Sequence, residues 1–176
     1  NDRLKQSKSK RISCKPSPFG IAQGFVYGDG KTTSKNFSGE ANAIGHKDKA
    51  LSKYFSLCEK RHYKLECGDH IVYSQIPNSW RNPPDLTENS SFLFGWLAGY
   101  FAADGCVSEN GNCFISSAKY SDIKLIMDVC SILGIPYFDV NRSVVNEFGF
   151  KCYNISLDSK YLKDSFFIIH KHRKRF

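Results

Sequence analysis

The sequence contains no C-x-x-C pair, although seven cysteines occur among its 176 residues. An odd cysteine count without paired spacing argues against a disulfide framework and against a zinc site. The five histidines show no metal-ligand spacing either. Several cysteines stand in apolar patterns, where cysteine packs as a small hydrophobic residue. We therefore expect a reducing, intracellular environment such as cytoplasm, nucleoid or organelle.

Long apolar runs and acidic residues are also scarce. The most apolar stretch, "FLFGWLAGYFAA", is too short to span a membrane, and no signal peptide is evident, so no membrane partner is expected. The chain has 17 Asp and Glu against 25 Lys and Arg, a net charge of +8. Such a balance favours a polyanionic partner, and a merely soluble basic protein is the alternative.

Two similar segments flank a stretch typical of a linker. Residues 77–91, "PNSWRNPPDLTENSS", hold three of the six prolines together with many Asn and Ser. Residues 1–15 are basic and polar, which predicts a flexible arm. The sequence thus predicts an arm over 1–15, a first unit over 16–77, a linker over 78–90 and a second unit over 91–176.

The two units carry related motifs. Aligning "AQGFVYGDGKT" with "LAGYFAADGCV" places Asp29 on Asp104 and Gly24 on Gly99, at an offset of 75 residues. Further along, "KDKALSKYF" aligns with "SDIKLIMDV" at an offset of 74 residues. Two signals at nearly one offset indicate an internal duplication.

Local patterns predict the same order of elements in both units. In the second unit we expect a helix over 91–103 capped by Ser91, a hairpin around Asn110-Gly111, a helix over 121–133, strands within 135–142 and 150–157, and an amphipathic closing helix over 159–172. In the first unit we expect a helix over 19–28, weak strands to 44, a helix over 48–58 and a strand pair over 62–76. The predicted fold is α+β, with two pseudo-symmetric αββαββ(α) repeats.

The motifs carry a family resemblance. "LAGYFAADG" matches the LAGLIDADG signature of homing endonucleases at six of nine positions, and "AQGFVYGDG" resembles the variant found in intein endonuclease domains. "SQIPNSW" is similar to an intein endonuclease block. The resemblance is to the double-motif monomeric type, and it implies saddle-shaped antiparallel sheets, with the motif helices packed side by side through Gly and Ala.

The resemblance also implies a metal-dependent nuclease site. Asp29 and Asp104 would meet at the helix ends, although an acid there faces the unfavourable pole of the helix dipole. Two close carboxylates repel each other unless a cation neutralises them. Mg²⁺ (or Mn²⁺) is the expected cofactor, with the carbonyls of Gly28 and Ala103 as further ligands. The expected reaction is phosphodiester hydrolysis in long double-stranded DNA, leaving staggered ends.

Two further residues are candidates for catalytic support. Related enzymes carry a basic residue near the position of Lys160, beside the active-site water. In the first unit the usual Lys is replaced by Ser74, and the neighbouring Gln75 is the candidate for positioning water. Unequal cutting of the two strands is therefore an open alternative. Tyr27 stands where the motif has an acid, and we expect it to pack.

Strand positions on the saddle provide the candidates for DNA contact. Their position alone makes them candidates, and an ordinary solvated surface role is the alternative for each. They are Lys31, Thr33, Lys35, Asn36, Lys47, Ser108, Asn112, Phe114, Ser116, Lys119, Arg142 and Lys151.

Two other functions fit the same fold. A maturase would bind intron RNA and assist splicing, and a DNA-binding regulator would bind without cleaving. The presence of both Asp29 and Asp104 disfavours a pure binding role. Because both acids lie in one chain, a monomer is expected.

Overall fold

The computed structural model describes residues 14–32, 41–45, 49–65, 68–145, 149 and 151–176. The first half contains α1 (Pro18–Asp29), β1 (Lys31–Thr32), β2 (Ala41–Gly45), a 3-10 helix (Lys49–Phe55), β3 (Glu59–Leu65) and β4 (Gly68–Ile76). A second 3-10 helix, Asn78–Arg81, follows. The second half contains α2 (Ser90–Asp104), β5 (Gly105–Val107), β6 (Cys113–Ser117), α3 (Tyr120–Leu133), β7 (Tyr137–Val145), β8 (Lys151–Leu157), two 3-10 turns (Ser159–Tyr161 and Asp164–Phe166) and α4 (His170–Arg175).

Each half forms a four-stranded antiparallel sheet with equivalent strand order. The first sheet runs β1-β2-β4-β3 and the second runs β5-β6-β8-β7. The predicted α+β fold of two αββαββ repeats is therefore confirmed.

Helices α1 and α2 begin at side-chain caps. The Ser17 hydroxyl accepts from the Gly20 N–H at 3.3 Å, and Pro18 opens α1 where its missing N–H costs nothing. For α2 the cap is Asn89, which accepts from the Phe92 N–H at 2.9 Å. The prediction of Ser91 as the cap was wrong. Its hydroxyl instead donates to the Lys15 carbonyl at 2.7 Å and ties the start of α1 to α2.

The two motif helices touch backbone to backbone through glycine. A methyl group on Gly24 would overlap the Trp96 carbonyl, and one on Gly99 would overlap the Ile21 carbonyl. Gly20 and Gly95 are equally tight, against Phe92 and Ser17 respectively. This close approach explains why a helix as apolar as α2 is buried on almost every side.

Alternation along the strands separates a core face from an outer face. In the second sheet, Cys113 and Ile115 of β6 and Ile155 and Leu157 of β8 are buried toward the helices. We define the outer face of this sheet as Phe114, Ser116, Asn154 and Ser156, which alternate with those buried residues and pair across β6 and β8.

Two predicted helices have a different form. The helix expected over 48–58 is a 3-10 helix over Lys49–Phe55, with only Leu51 and Phe55 buried. The single closing helix expected over 159–172 is replaced by the two 3-10 turns and the short α4. Phe166, Phe167 and Ile168 are all buried. Three consecutive buried residues are wider than the single apolar stripe of an amphipathic helix, so the burial does not fit the predicted closing helix.

Among the residues that the structure describes, no helix is long and apolar enough to cross a membrane.

Candidate functional site

The carboxyl ends of α1 and α2 meet at one point. Asp29 is the last residue of α1 and Asp104 the last residue of α2. A methyl group built on Gly28 would lie 2.6 Å from the Ala103 Cβ and 3.2 Å from the Asp104 Oδ2. The Asp29 Oδ2 is shielded from solvent. The glycine contacts along the helix pair therefore bring the two motif acids to the same place, as the family resemblance implied.

Electrostatics at this point favour a cation. Burial, followed by the charge of Asp29, raises the pKa of Asp104 to about 6 from its ordinary value of 3.8. A hydrogen bond with Tyr100 acts in the opposite direction. The site thus holds a carboxylate that the protein itself does not neutralise fully, at helix ends that are already electronegative.

A network of hydrogen-bonded side chains leads to Asp104. The Tyr27 hydroxyl donates to the Asp122 Oδ1 at 3.0 Å, and the Ser117 hydroxyl donates to the Asp122 Oδ2 at 2.8 Å. Tyr100 hydrogen-bonds with both Ser117 and Asp104. The network therefore links α1, β6 and α3 to the acid at the end of α2.

An aromatic cluster holds the two tyrosines of this network. The ring centroids of Tyr27 and Trp96 lie 5.3 Å apart, those of Tyr27 and Tyr100 5.6 Å, and the Trp96 and Tyr100 rings stack at 5.5 Å. Burial, then the charge of Asp122, raises the pKa of Tyr27 to about 12, so its hydroxyl stays a donor. Tyr27 packs as expected and also donates a hydrogen bond. Tyr27 and Asp122 are 95 residues apart, and no sequence pattern connects them.

The residues at the helix ends suit a hard divalent cation. Mg²⁺ and Mn²⁺ take carboxylate, carbonyl and water oxygens. Asp29 and Asp104 supply the carboxylates. Gly28 and Ala103 belong to the last helical turns, where carbonyls lack an intrahelical donor. Within the described ranges, no group of three or more His, Cys, Asp or Glu side chains converges to hold a metal.

Gln75 occupies an unusual backbone position in the first sheet. It is exposed and has a φ of 60°, in the left-handed region. The register between β2 and β4 shifts beside it, where Ala43 pairs with Tyr73 and Ala41 pairs with Ile76. Gln75 is the extra residue of this bulge, and bulges re-aim side chains near functional sites. The adjacent Ser74 hydroxyl donates to the Glu59 Oε2 at 3.0 Å.

Lys160 lies in the 3-10 turn after β8 rather than at the start of a helix. Its side chain is exposed, and its backbone N–H donates to the Asp158 Oδ1 at 3.1 Å. The turn places Lys160 beyond the end of β8.

The candidates for DNA contact whose side chains are described fall into three groups. Phe114 and Ser116 lie on the outer face of the second sheet, half-buried, together with Asn154 and Ser156, which position alone did not single out. Lys31, Asn112, Lys119 and Lys151 are exposed on or beside the strands. Ser108 closes the β5–β6 turn, where its hydroxyl accepts from the Asn112 N–H at 3.0 Å.

Other candidates have no described side chain. Arg142 lies within β7. Thr33, Lys35, Asn36 and Lys47 lie outside the described residues, as does Asp48, the residue that aligns with Asp122.

Comparison with solved structures identifies the fold. Variants of the homing endonuclease I-DmoI match with a TM-score of 0.57 and 11% identity, over 81% of this chain and 83% of theirs. I-DmoI in complex with DNA and Ca gives the same values. Full-length DUF199/WhiA from Thermatoga maritima matches with a TM-score of 0.55 and 11% identity, over 90% of this chain and 59% of that protein. No protein-family model matches the sequence, and no curated protein does either.

These likenesses place the chain in the LAGLIDADG fold, as predicted. At this identity they define the architecture alone.

Proposed function

We propose that this chain is a double-stranded DNA-binding protein that cleaves its target with divalent metal ions held between Asp29 and Asp104. The observation that carries the proposal is the meeting of the two motif acids at the glycine-packed helix ends. I-DmoI, which shares the fold, is named as a homing endonuclease and has been crystallised with DNA and Ca or Mn.

The proposed DNA surface is formed by the two sheets. The net charge of +8 and the exposed Lys31, Lys119 and Lys151 favour the phosphate backbone. Side chains on the outer face, such as Ser116 and Asn154, are of the size and polarity that contact base edges. Because both sheets belong to one chain, the protein would bind as a monomer.

Within the site, each residue has a separate task. Asp29 and Asp104 would hold the Mg²⁺ or Mn²⁺, joined by the carbonyls of Gly28 and Ala103. A bound divalent ion lowers the pKa of water and stabilises charge on phosphate oxygens. Tyr100 hydrogen-bonds Asp104 and orients its carboxylate. Lys160 would stabilise the developing phosphate charge, and Gln75 would orient water in the first half.

A regulator that binds DNA without cutting is the second candidate. DUF199/WhiA shares the fold over 90% of this chain. Retention of both acids is the observation that favours the nuclease. A maturase, which binds intron RNA, is the third candidate. It would use the same basic surfaces, and the test below distinguishes it from the other two.

The test has two stages. A randomised duplex library is first bound in Ca²⁺ to select a target, and the selected duplex is then incubated with Mg²⁺, Mn²⁺ or chelator. We expect double-strand cleavage that needs the metal and falls about 1,000-fold in Asp29→Asn and in Asp104→Asn, as when a principal charge-stabilising group is lost.

Asp128→Asn is the matched control, since Asp128 is an exposed acid on α3. It should cut normally. Selection of a duplex that stays uncut under all metals would support the regulator. Failure to select any duplex, with intron RNA still bound, would support the maturase.

A further inference from the structure

A basic pocket lies beside the amino-terminal end of α1. Its volume is about 610 Å³, and its lining includes four cationic side chains, those of Lys15, Lys53, Lys163 and Arg173. Among the described residues that line the pocket, none is Asp or Glu. The cations come from four separate segments: the approach to α1, the first 3-10 helix, the loop after Ser159–Tyr161, and α4. Four like charges brought together by the fold repel each other unless an anion joins them.

Hydrogen bonds hold two of these residues in place, one through its backbone and one through its side chain. The Lys15 carbonyl accepts from the Ser91 hydroxyl at 2.7 Å, which ties this residue to α2. The Arg173 Nε donates to the Phe167 carbonyl at 2.5 Å. Arg173 therefore keeps its remaining guanidinium N–H groups for a ligand, in a fixed orientation.

The rest of the wall is apolar and aromatic. Pro16, Pro18 and the buried Ile21 form one side. The Tyr54 ring lies half-buried in the lining, and the Lys53 Nζ is 4.9 Å from its centroid. A flat apolar surface beside cations suits a ligand that joins a planar ring to phosphate.

The pocket is distinct from the acidic site. It contacts Pro18 and Ile21 at the start of α1, whereas Asp29 is the last residue of that helix. At about 1.5 Å of rise per residue, the two ends of α1 are roughly 16 Å apart.

We propose that this pocket binds a nucleotide, with its phosphates on Lys53, Lys163 and Arg173 and its base against Tyr54 and the prolines. The nucleotide is either free or one unit of a single strand. This inference goes beyond the proposed function and does not depend on DNA cleavage.

The test is isothermal titration of the intact protein with adenosine diphosphate, with inorganic pyrophosphate and with an eight-nucleotide oligouridylate. We expect adenosine diphosphate to bind and to bind more tightly than pyrophosphate. The double variant Lys53→Ala/Lys163→Ala should lose at least about tenfold in affinity, since two charge-assisted contacts are removed. Both side chains are exposed, so the variant should fold.

Lys124→Glu is the control. It changes the net charge by the same two units at an exposed position on α3 and should bind as the native protein does. Oligouridylate binding that is lost in the pocket variant identifies a strand as the source of the nucleotide, and adenosine diphosphate binding alone identifies a free nucleotide. The proposal would be overturned if neither adenosine diphosphate nor oligouridylate bound, or if Lys124→Glu lost as much affinity as the double variant. Equal affinities for adenosine diphosphate and pyrophosphate would also overturn it.

Discussion

The two halves of the molecule have the same strand order but are supported differently. In the second half, α3 has 14 residues and buries Ile123, Ile126 and Val129 at helical spacing. In the first half a seven-residue 3-10 helix takes that place. There an aromatic stack fills the core, with the Phe55 and Tyr73 rings 4.6 Å apart and the Tyr73 hydroxyl donating to Ser52 at 2.8 Å.

The difference shows which features the fold demands of both halves. Both halves have the same sheet order, and each contributes one helix to the glycine-packed pair. The helix between the second and third strands of each half is the element that differs. The hydrogen-bond network of Asp122 reaches from α3 to the acid of α2. We infer that α3 helps to position the acid of α2 through this network.

The largest expected effect concerns the glycines that the halves share. Gly24→Ala and Gly99→Ala should each lower the free energy of unfolding by about 3 kcal/mol, because a methyl group would overlap a backbone carbonyl of the facing helix. Chemical denaturation measures both. Gly149→Ala is the control: its φ is 79° and nothing lies within 4 Å, so only backbone strain, about 1 kcal/mol, should appear. Markedly different losses at Gly24 and Gly99 would break the symmetry of the helix pair.

The second prediction tests the hydrogen-bond network of Asp122, and it depends on the proposed nuclease activity. Asp122→Asn should slow cleavage about tenfold without weakening DNA binding, because the acceptor that holds Tyr27 and Ser117 loses its charge. Strand-resolved cleavage kinetics would measure this, with Asp128→Asn as the matched acid on the exposed side of α3. Equal slowing of both variants, or a loss confined to binding, would contradict a positioning role for Asp122.

The third prediction concerns pH. The pKa of Asp104 is about 6 in the folded protein and 3.8 ordinarily. Below pH 3.8 the acid is mostly protonated in both states. Between pH 3.8 and 6 it is ionised in the unfolded chain but still protonated in the folded one, so stability falls as pH rises through this window, and the loss is complete above pH 6. Asp104→Asn should therefore stabilise the metal-free protein at pH 7.5 by about 1 kcal/mol, a value reduced for solvent screening, and have no effect near pH 3.5. Thermal unfolding at both pH values measures this. A gain at pH 3.5 would point to packing instead.

The smallest expected effect concerns the DNA affinity of variants that lose one lysine from either sheet. Lys31→Ala and Lys151→Ala should each weaken binding only a few-fold and reduce the slope of affinity against salt by about one, as for loss of one phosphate contact. Filter binding over a range of salt concentrations measures the slope. Lys124→Ala, on α3, should leave it unchanged. An effect at only one of the two sheets would mean that the DNA lies across one half.

Much of the architecture could be predicted from local patterns. Asn110-Gly111 predicted the β5–β6 turn, where Gly111 has a φ of 77°, and Gly134 ends α3 with a φ of 69°. The closing segment could not be predicted in this way. Its apolar residues suit an amphipathic helix in isolation, yet Phe166 and Phe167 are buried against Phe94 and Phe101, and these tertiary contacts decided the path.

The sequence by itself determined the repeated motif, the pair of acids and the glycines beside them, because these are properties of residue type and spacing along the chain. Only the tertiary structure decided which side chains surround the acids. Tyr27 and Asp122 come from different halves, and the four cations of the basic pocket come from four segments. Such groupings depend on how distant surfaces pack, and local spacing carries no record of that packing.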